Sequence, residues 1–515
     1  MVEPLHRGEL VEENLRDTMA EAVRGSIFLM SGNLLSLAIS SLNSIILARL
    51  LGPDKYGLYS LSLALFSLLA VLSDMGIPPF LIRTMALLRG DERAKEVASF
   101  TMRISLLVSL LLSLIGVAIA ELYSSYILRR PDLCNYVRLA VLAIPFVIVC
   151  NLSSSILLGL GMAERSSTIP LFQSTSKFLT SMILVLSGLS IFGAIFGHLS
   201  GYVVAAIASF LLIRGFLSKR ASGSLSSLLS YSLPIHLSSM IAIAVNQYTT
   251  LLLSSFTNFE IGNYYAAAAF SSVLGIMTSS ISSSLLSTFS RTLEGGIERM
   301  FKLSVKYSSL LMVPITISLI IFSADFVKIF FGDKYKLTAF YLSLLLLSYL
   351  PVGIGSLSIG PLLGSLGRTK IILIISLFGA SIFLPLSYLL TNISGIAGII
   401  IAQILSGLAS TSLSLIILRD FRASIDLKSS MKVYVVSMLS AIPVIAVGHF
   451  LSSPLRIILL PLYFLLYISL IPLILLERAD LDFLREVLSQ IKLIDKATNL
   501  ILSYERKLME LFSRP

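Results

Sequence analysis

The chain has 515 residues, 56% of them hydrophobic and only 13% charged, with a mean hydropathy of +0.92. Soluble domains carry roughly twice that charge fraction, so a water-soluble globular protein is excluded. The net charge of +11 is read as the positive loops that hold the cytoplasmic side of a membrane protein; no nucleic-acid partner is expected.

Lipid offers no partner for backbone N–H and C=O groups, so spanning segments are helices or closed barrels. The apolar runs are about 20 residues long, the length of a helical crossing, and lack the alternation of barrel strands. The expected fold is therefore all-α and polytopic, with about fourteen transmembrane helices. The cytoplasmic N-terminal segment, residues 1–25, is mixed in charge and lacks the order of a cleaved signal peptide, so the first helix should stay in the mature protein. Spans follow near Ser26–Ala48, Gly57–Ile77, Phe100–Ala120, Tyr136–Gly159, Thr168–Gly188 and Ile191–Ile213. A basic, Ser-rich cytoplasmic linker occupies residues 214–230. Further spans lie near Tyr231–Leu253, Gly262–Leu286, Val305–Ser323, Ala339–Leu357, Ile371–Leu390 and Gly395–Leu418. A final pair, Val433–Leu451 and Leu455–Leu475, falls within residues 431–475. Residues 476–515 read as a cytoplasmic amphipathic helix, with Leu481, Leu484, Val487, Leu488 and Ile491 at helical spacing among charges. It would lie on the inner membrane face or bind a partner.

Orientation follows from Lys and Arg placement. With the N-terminus inside, only Arg49, Lys55, Arg129, Arg130, Arg138, Lys328, Lys334, Lys336 and Arg456 of the 39 Lys and Arg fall on the outer side. Nearly all others fall inward, including Arg83, Arg89, Arg93, Lys95, Arg214, Lys219, Arg220, Arg291, Arg299, Lys302, Arg419, Arg422 and Lys428. Both termini are thus expected in the cytoplasm. There is no Trp; Tyr56, Tyr59, Tyr123, Tyr126, Tyr264, Tyr265 and Tyr335 are expected to form the outer interfacial belt instead. Cys134 and Cys150 are the only cysteines, one in a loop and one in a helix, and no disulfide is expected.

The first half resembles the second at an offset of about 205 residues. Gly57-Leu58-Tyr59 stands against Gly262-Asn263-Tyr264, Leu157-Leu158-Gly159 against Leu362-Leu363-Gly364, and Arg165 against Lys370. Gly193 and His198 stand against Gly398 and Gln403, and Pro145 one residue off register from Pro351. The offset spans an even number of helices, so the copies share orientation and the axis relating them runs along the membrane normal. Two six-helix pseudo-repeat lobes, residues 26–213 and 231–418, should then flank a central cavity, followed by the two extra helices.

The stretch ILARLLGPDKYGLYSLSLAL, Ile46 through Leu65, resembles the opening signature of the polysaccharide-biosynthesis or oligosaccharide flippases. These share a superfamily with the lipid II flippase and the multidrug and toxin extrusion antiporters. Asp74-Met75-Gly76 with Arg83, the LLGLGMAERS turn and GNYYAAAAF fit the same pattern, and the similarity covers about Ser26–Leu418. The resemblance implies translocation of a polyprenyl-(di)phosphate-linked oligosaccharide from the inner to the outer leaflet of the plasma membrane by alternating access. It implies lipid-linked oligosaccharide and membrane lipids as partners, with glycan-assembly enzymes nearby, and no cofactor or metal. Relatives often carry an acidic residue in helix seven, where this chain reads Val245-Asn246-Gln247-Tyr248. In the lipid II flippase an extra helix pair shapes a lipid groove, and the resemblance implies a like role for the final pair here.

Ionisable groups within a membrane are costly, about 2.5–3.5 kcal/mol at a helix centre, so each is informative. Lys177 lies about ten residues into helix five, roughly 15 Å deep, with Gln173 one turn before it. It reads as a cavity cation for a phosphate or sugar acid, or as a buried structural group. Arg49 closes helix one as an interfacial anchor or a cavity guanidinium. Arg83 and Arg291 end helices two and eight as inward-loop cations or substrate contacts. Asp74 could form an ion pair with Arg83 or another cation. Asn43, Asn246 and Gln247 either bond between helices or meet sugar hydroxyls. For His198 and Gln403 helix packing is expected. A cation-coupled multidrug exporter would need buried carboxylates that the spans mostly lack. A membrane glycosyltransferase or polymerase would need acids on large outward loops; no catalytic constellation is seen, and a non-enzymatic transporter is expected.

Overall fold

The computed structural model describes residues 3–223, 225–291, 297–418 and 427–474. The expected tail helix, residues 476–515, and Arg419 and Arg422 lie outside them. Every regular element among the described residues is helical. Ten helical runs are long and apolar enough to cross a membrane, or eleven with one bent pair.

Two of those runs are too long for one crossing. Ser31–Leu87 and Ala163–Phe216 have 57 and 54 residues, or about 80–85 Å at 1.5 Å per residue, against a hydrocarbon core of about 30 Å. Each breaks where glycine permits it. Helix α1 (Glu3–Ser62) breaks at Gly52, with φ 73 and ψ 168, just before Pro53. Helices α7 (Ala163–Leu184) and α8 (Ser190–Ile213) are joined by a turn with Gly188 at φ 91. The second expected span, Gly57–Ile77, is interrupted near its end by Met75 and Gly76 in the left-handed region, which separate α2 (Ala64–Asp74) from a further helix, α3 (Ile77–Leu87). Pro78 and Pro79 follow and favour starting a new helix. Its repeat counterpart α10 (Asn258–Arg291) has serines at the proline-matched positions and runs on unbroken.

The remaining helices are α4 (Glu92–Leu122), α5 (Cys134–Val141), α6 (Ile144–Gly159), α9 (Leu225–Leu253), α11 (Ile297–Ile321), α12 (Ser323–Phe330), α13 (Thr338–Leu347), α14 (Ser356–Ser365), α15 (Thr369–Ser394), α16 (Ile396–Leu418), α17 (Leu427–Gly448) and α18 (Leu460–Ile474). They group into two compact units, Met1–Val273 and Leu274–Pro515. Helix α9, assigned by sequence to the second lobe, packs on α2 and α3, so the first unit extends past the linker at 214–230.

In the first unit, α7 and α8 pack along a seam of small residues. A Cβ placed on Gly193, Gly197 or Gly201 would meet Leu184, Ser181 or Lys177 at 2.9, 2.6 or 2.8 Å. This four-residue spacing of glycines lets helix backbones approach closely where lipid supplies no hydrophobic drive. Helix α1 joins α7 through Gly32 against Ser167, Ser36 Oγ donating to Pro170 O at 2.8 Å, and Asn43.

In the second unit, α17 and α18 dock on α11. Tyr467 OH donates to Leu310 O at 3.0 Å, and Tyr434 OH donates to Leu350 O. Helices α15 and α16 form a hairpin like α7–α8. Ser190, at φ 48 and ψ −128, and Gly395, at φ 61 and ψ −141, open matched helices in the same rare conformation 205 positions apart. A serine there is unusual, since left-handed φ favours glycine.

Candidate functional site

Lys177 leaves α7 beside Gly201 of α8 and is half-buried. Its charge lies near enough to His198, also on α8, to interact with it. Among the described residues no carboxylate comes within ion-pair distance of Lys177. His198 is 5% exposed. Phe66 of α2 and Tyr202 flank its ring edge-on, with centroids 4.7 and 5.1 Å away. Neither of its ring nitrogens has a hydrogen-bond partner among the described residues. The first unit therefore places a cation and an imidazole near each other, with no carboxylate within ion-pair distance of the lysine among the described residues. The sequence treated Lys177 and His198 separately. Their meeting was legible from the hairpin itself, because they lie eleven residues before and ten after Gly188. Gln173, one turn from Lys177, is half-buried.

Asn43 is 1% exposed, and its Oδ1 accepts from Ser181 Oγ at 2.8 Å; that atom bonds between helices. Gln247 does the same on a wider scale. Its Nε2 donates to Ala64 O at 3.0 Å and Ser67 Oγ at 3.3 Å, while its Oε1 accepts from Tyr123 OH at 3.1 Å. One side chain of α9 thus joins α2 to the end of α4, satisfying buried polar groups that lipid could not. Its neighbour Asn246 is exposed.

Arg49 and Arg83 are exposed at the ends of their spans, and both engage partners. Arg291 ends α10, and its side chain lies outside the described ones. Asp74 ends α2 with Oδ1 buried and without a hydrogen-bond partner; among the described residues it forms no ion pair. The sequence overlooked Asp325 of α12, whose carboxylate is fully buried with Arg456 Nε 3.9 Å away. It lies two residues beyond the expected span Val305–Ser323, where an acid does not stand out in an apolar run.

The tyrosines correct an expectation. Tyr56, Tyr59, Tyr123, Tyr264 and Tyr335 are buried, and of the expected belt Tyr126 stands exposed at 79%. Tyr56 lies against Tyr59 and Tyr264 against Tyr265, with ring centroids 5.9 and 5.4 Å apart, so these rings pack within the protein rather than facing headgroups. They surround a close backbone contact. A Cβ on Gly57 would meet Asn258 O at 2.5 Å and Gly262 N at 2.9 Å, and one on Gly262 would overlap Pro53 O. Pro53 and Asn258 are themselves 205 positions apart, as are Gly57 and Gly262. The contact is reciprocal, as a two-fold axis demands of residues lying beside it.

Residues 46–339 match the polysaccharide biosynthesis protein family. The chain belongs to that family. A putative O-antigen transporter of Shigella flexneri is 24% identical over 390 residues, 71% of this chain and 91% of the relative. A probable low-salt glycan biosynthesis flippase of Haloferax volcanii is 23% identical over 330 residues, 63% of this chain and 68% of the relative. The solved structure of a lipid II flippase in an inward closed conformation covers 86% of this chain and 97% of its own, with TM-score 0.72 and 14% identity. Such a polysaccharide biosynthesis protein is a multi-span membrane protein, and its fold is the one this flippase has.

Proposed function

We propose that this protein flips a polyprenyl-phosphate- or diphosphate-linked oligosaccharide from the inner to the outer leaflet of the plasma membrane by alternating access, with both termini cytoplasmic. The translocated glycan would enter cell-surface polysaccharide or glycoprotein assembly, alongside membrane lipids and glycan-assembly enzymes. The observation that carries this reading is Lys177, deep in a span and without a carboxylate partner among the described residues. A phosphate crossing hydrocarbon is prohibitive unless the path supplies compensating cations and polar groups. Lys177 supplies a cation at mid-depth. Arg49 and Arg83 at the span ends extend it toward both surfaces, and Arg291 is a further substrate-contact candidate. Gln173 and Asn246 would meet sugar hydroxyls. A cation exporter needs the opposite polarity. The relatives named as an O-antigen transporter and a glycan flippase support the same substrate class, and the transporter role makes a catalytic constellation unnecessary.

Flipping of a polyprenyl-diphosphate-linked oligosaccharide in proteoliposomes tests this reading. Lys177→Ala should slow it roughly 10- to 100-fold, the loss of one charge-assisted contact, without loss of protein from the membrane. Arg should restore more than Gln. Export of a cationic dye with no effect of lipid-linked sugars would overturn the assignment.

A further inference from the structure

Within the first unit, the turn between α9 and α10 is held from two sides. On one side it meets Pro53–Gly57 through the reciprocal glycine contact. That contact is backbone against backbone, and the buried Tyr56, Tyr59 and Tyr264 flank its two glycines in sequence. Gly52, at φ 73, supplies a break in α1 beside it.

On the other side stands Arg130. Its Nε donates to Ser254 O at 3.3 Å, one Nη to the Phe256 carbonyl and the other to Asn258 Oδ1. Two of these acceptors are carbonyls just past the end of α9, where the negative end of the helix dipole favours a cation. A planar five-donor fork can grip three acceptors at once, which a lysine ammonium does less well. The residue before it, Arg129, sits at φ 55, a conformation non-glycine residues seldom hold unless the surroundings enforce it.

We propose that Arg130 is the latch of this closure. Opening at this end requires its guanidinium to release the 254–258 turn, after which the Gly57 and Gly262 backbones part. The inference rests on the alternating-access reading above, in which this end opens to let the headgroup out.

The test is a spin-label distance across the contact. In the full chain in lipid nanodiscs, with Cys134 and Cys150 replaced by serine, labels at Lys55→Cys and Ser255→Cys are measured by double electron–electron resonance. The parent should show mainly the short distance. Arg130→Ala should raise the ratio of long to short populations by about tenfold, equivalent to about 1.4 kcal/mol, and Arg130→Lys should fall between. If Arg130→Ala does not fold, Asn258→Ala removes one acceptor and should give a smaller rise in the same direction. An unchanged distribution in the folded variant overturns the latch. The measurement needs no substrate, so the two ideas fail separately. Flipping with an unmoved distance distribution refutes the latch alone. A shifted distribution in a protein that flips no lipid-linked oligosaccharide refutes the flippase reading alone.

Discussion

Asn43 and Lys177 show how differently two polar residues in apolar helices behave. Asn43 spends its side-chain oxygen on Ser181, whose hydroxyl also reaches Phe178 O at 3.1 Å in its own helix. Removing the amide therefore leaves Ser181 satisfied. Interhelical hydrogen bonds in membranes average about 0.6 kcal/mol, so Asn43→Ala should lower the thermal midpoint slightly and leave flipping within about twofold. A large loss of flipping with an unchanged midpoint would instead put Asn43 on the substrate path. Lys177 was legible in the sequence because a charge stands out in an apolar run. The fate of Asn43 was not, since the same amide serves a helix contact or a sugar hydroxyl equally well. Its partner lies 138 positions away, and no local pattern encodes such a pairing. Gln247 was hidden for the same reason, with bonds to Ala64 and Tyr123 spanning 183 and 124 positions.

The elements were easier to read than their contacts, because hydrophobic run length and Gly or Pro punctuation are local signals. Gly52-Pro53 marked the break in α1, and the Gly188 turn marked the hairpin of α7 and α8. The Gly193, Gly197 and Gly201 seam then fixes how that hairpin closes. What the runs could not convey is the split at Met75-Gly76, which looked like part of one span. The last two helices had no repeat to compare with. They are tied down by hydroxyls: Tyr434 donates to Leu350 O and accepts from Gly353 N at 3.2 Å, and Tyr467 reaches Leu310 O. Gly353 has no side chain because the Tyr434 ring occupies that space, 2.5 Å from where a Cβ would sit. Tyr434→Phe keeps the ring but strands the Gly353 N–H and the Leu350 carbonyl. Each buried unsatisfied group costs about 1–3 kcal/mol, so this variant should unfold at clearly lower temperature, whereas Tyr467→Phe, which strands no donor, should cost less. Equal midpoints for Tyr434→Phe and the parent would mean that α17 is held by packing alone.

At the scale of the whole molecule, the sidedness of the protein rests on two independent arguments. The first is the Lys and Arg bias between loops, on which the proposed cytoplasmic placement of both termini rests. The second is the length of α4. Its 31 residues span about 46 Å, more than the hydrocarbon core of about 30 Å, so its ends emerge on opposite faces. The linker is fastened to the first end: Arg103 donates to Lys219 O at 2.8 Å, and Ser218 N donates to Ser99 Oγ at 2.7 Å. Arg129 and Arg130 follow the second end directly. Lys219 and Arg129 must therefore lie on opposite sides whatever the charge rule says, and the rule adds only the sign. Both side chains are exposed. With the native cysteines replaced by serine, Arg129→Cys should react with an impermeant thiol reagent in intact cells and Lys219→Cys only after the membrane is opened. The reverse pattern would invert the topology and, with it, the proposed direction of flipping, while leaving the helix packing intact. Labelling of both positions in intact cells would refute the crossing of α4 itself, and with it the division of the chain into membrane passes on which the repeat, the latch and the path for the headgroup all depend.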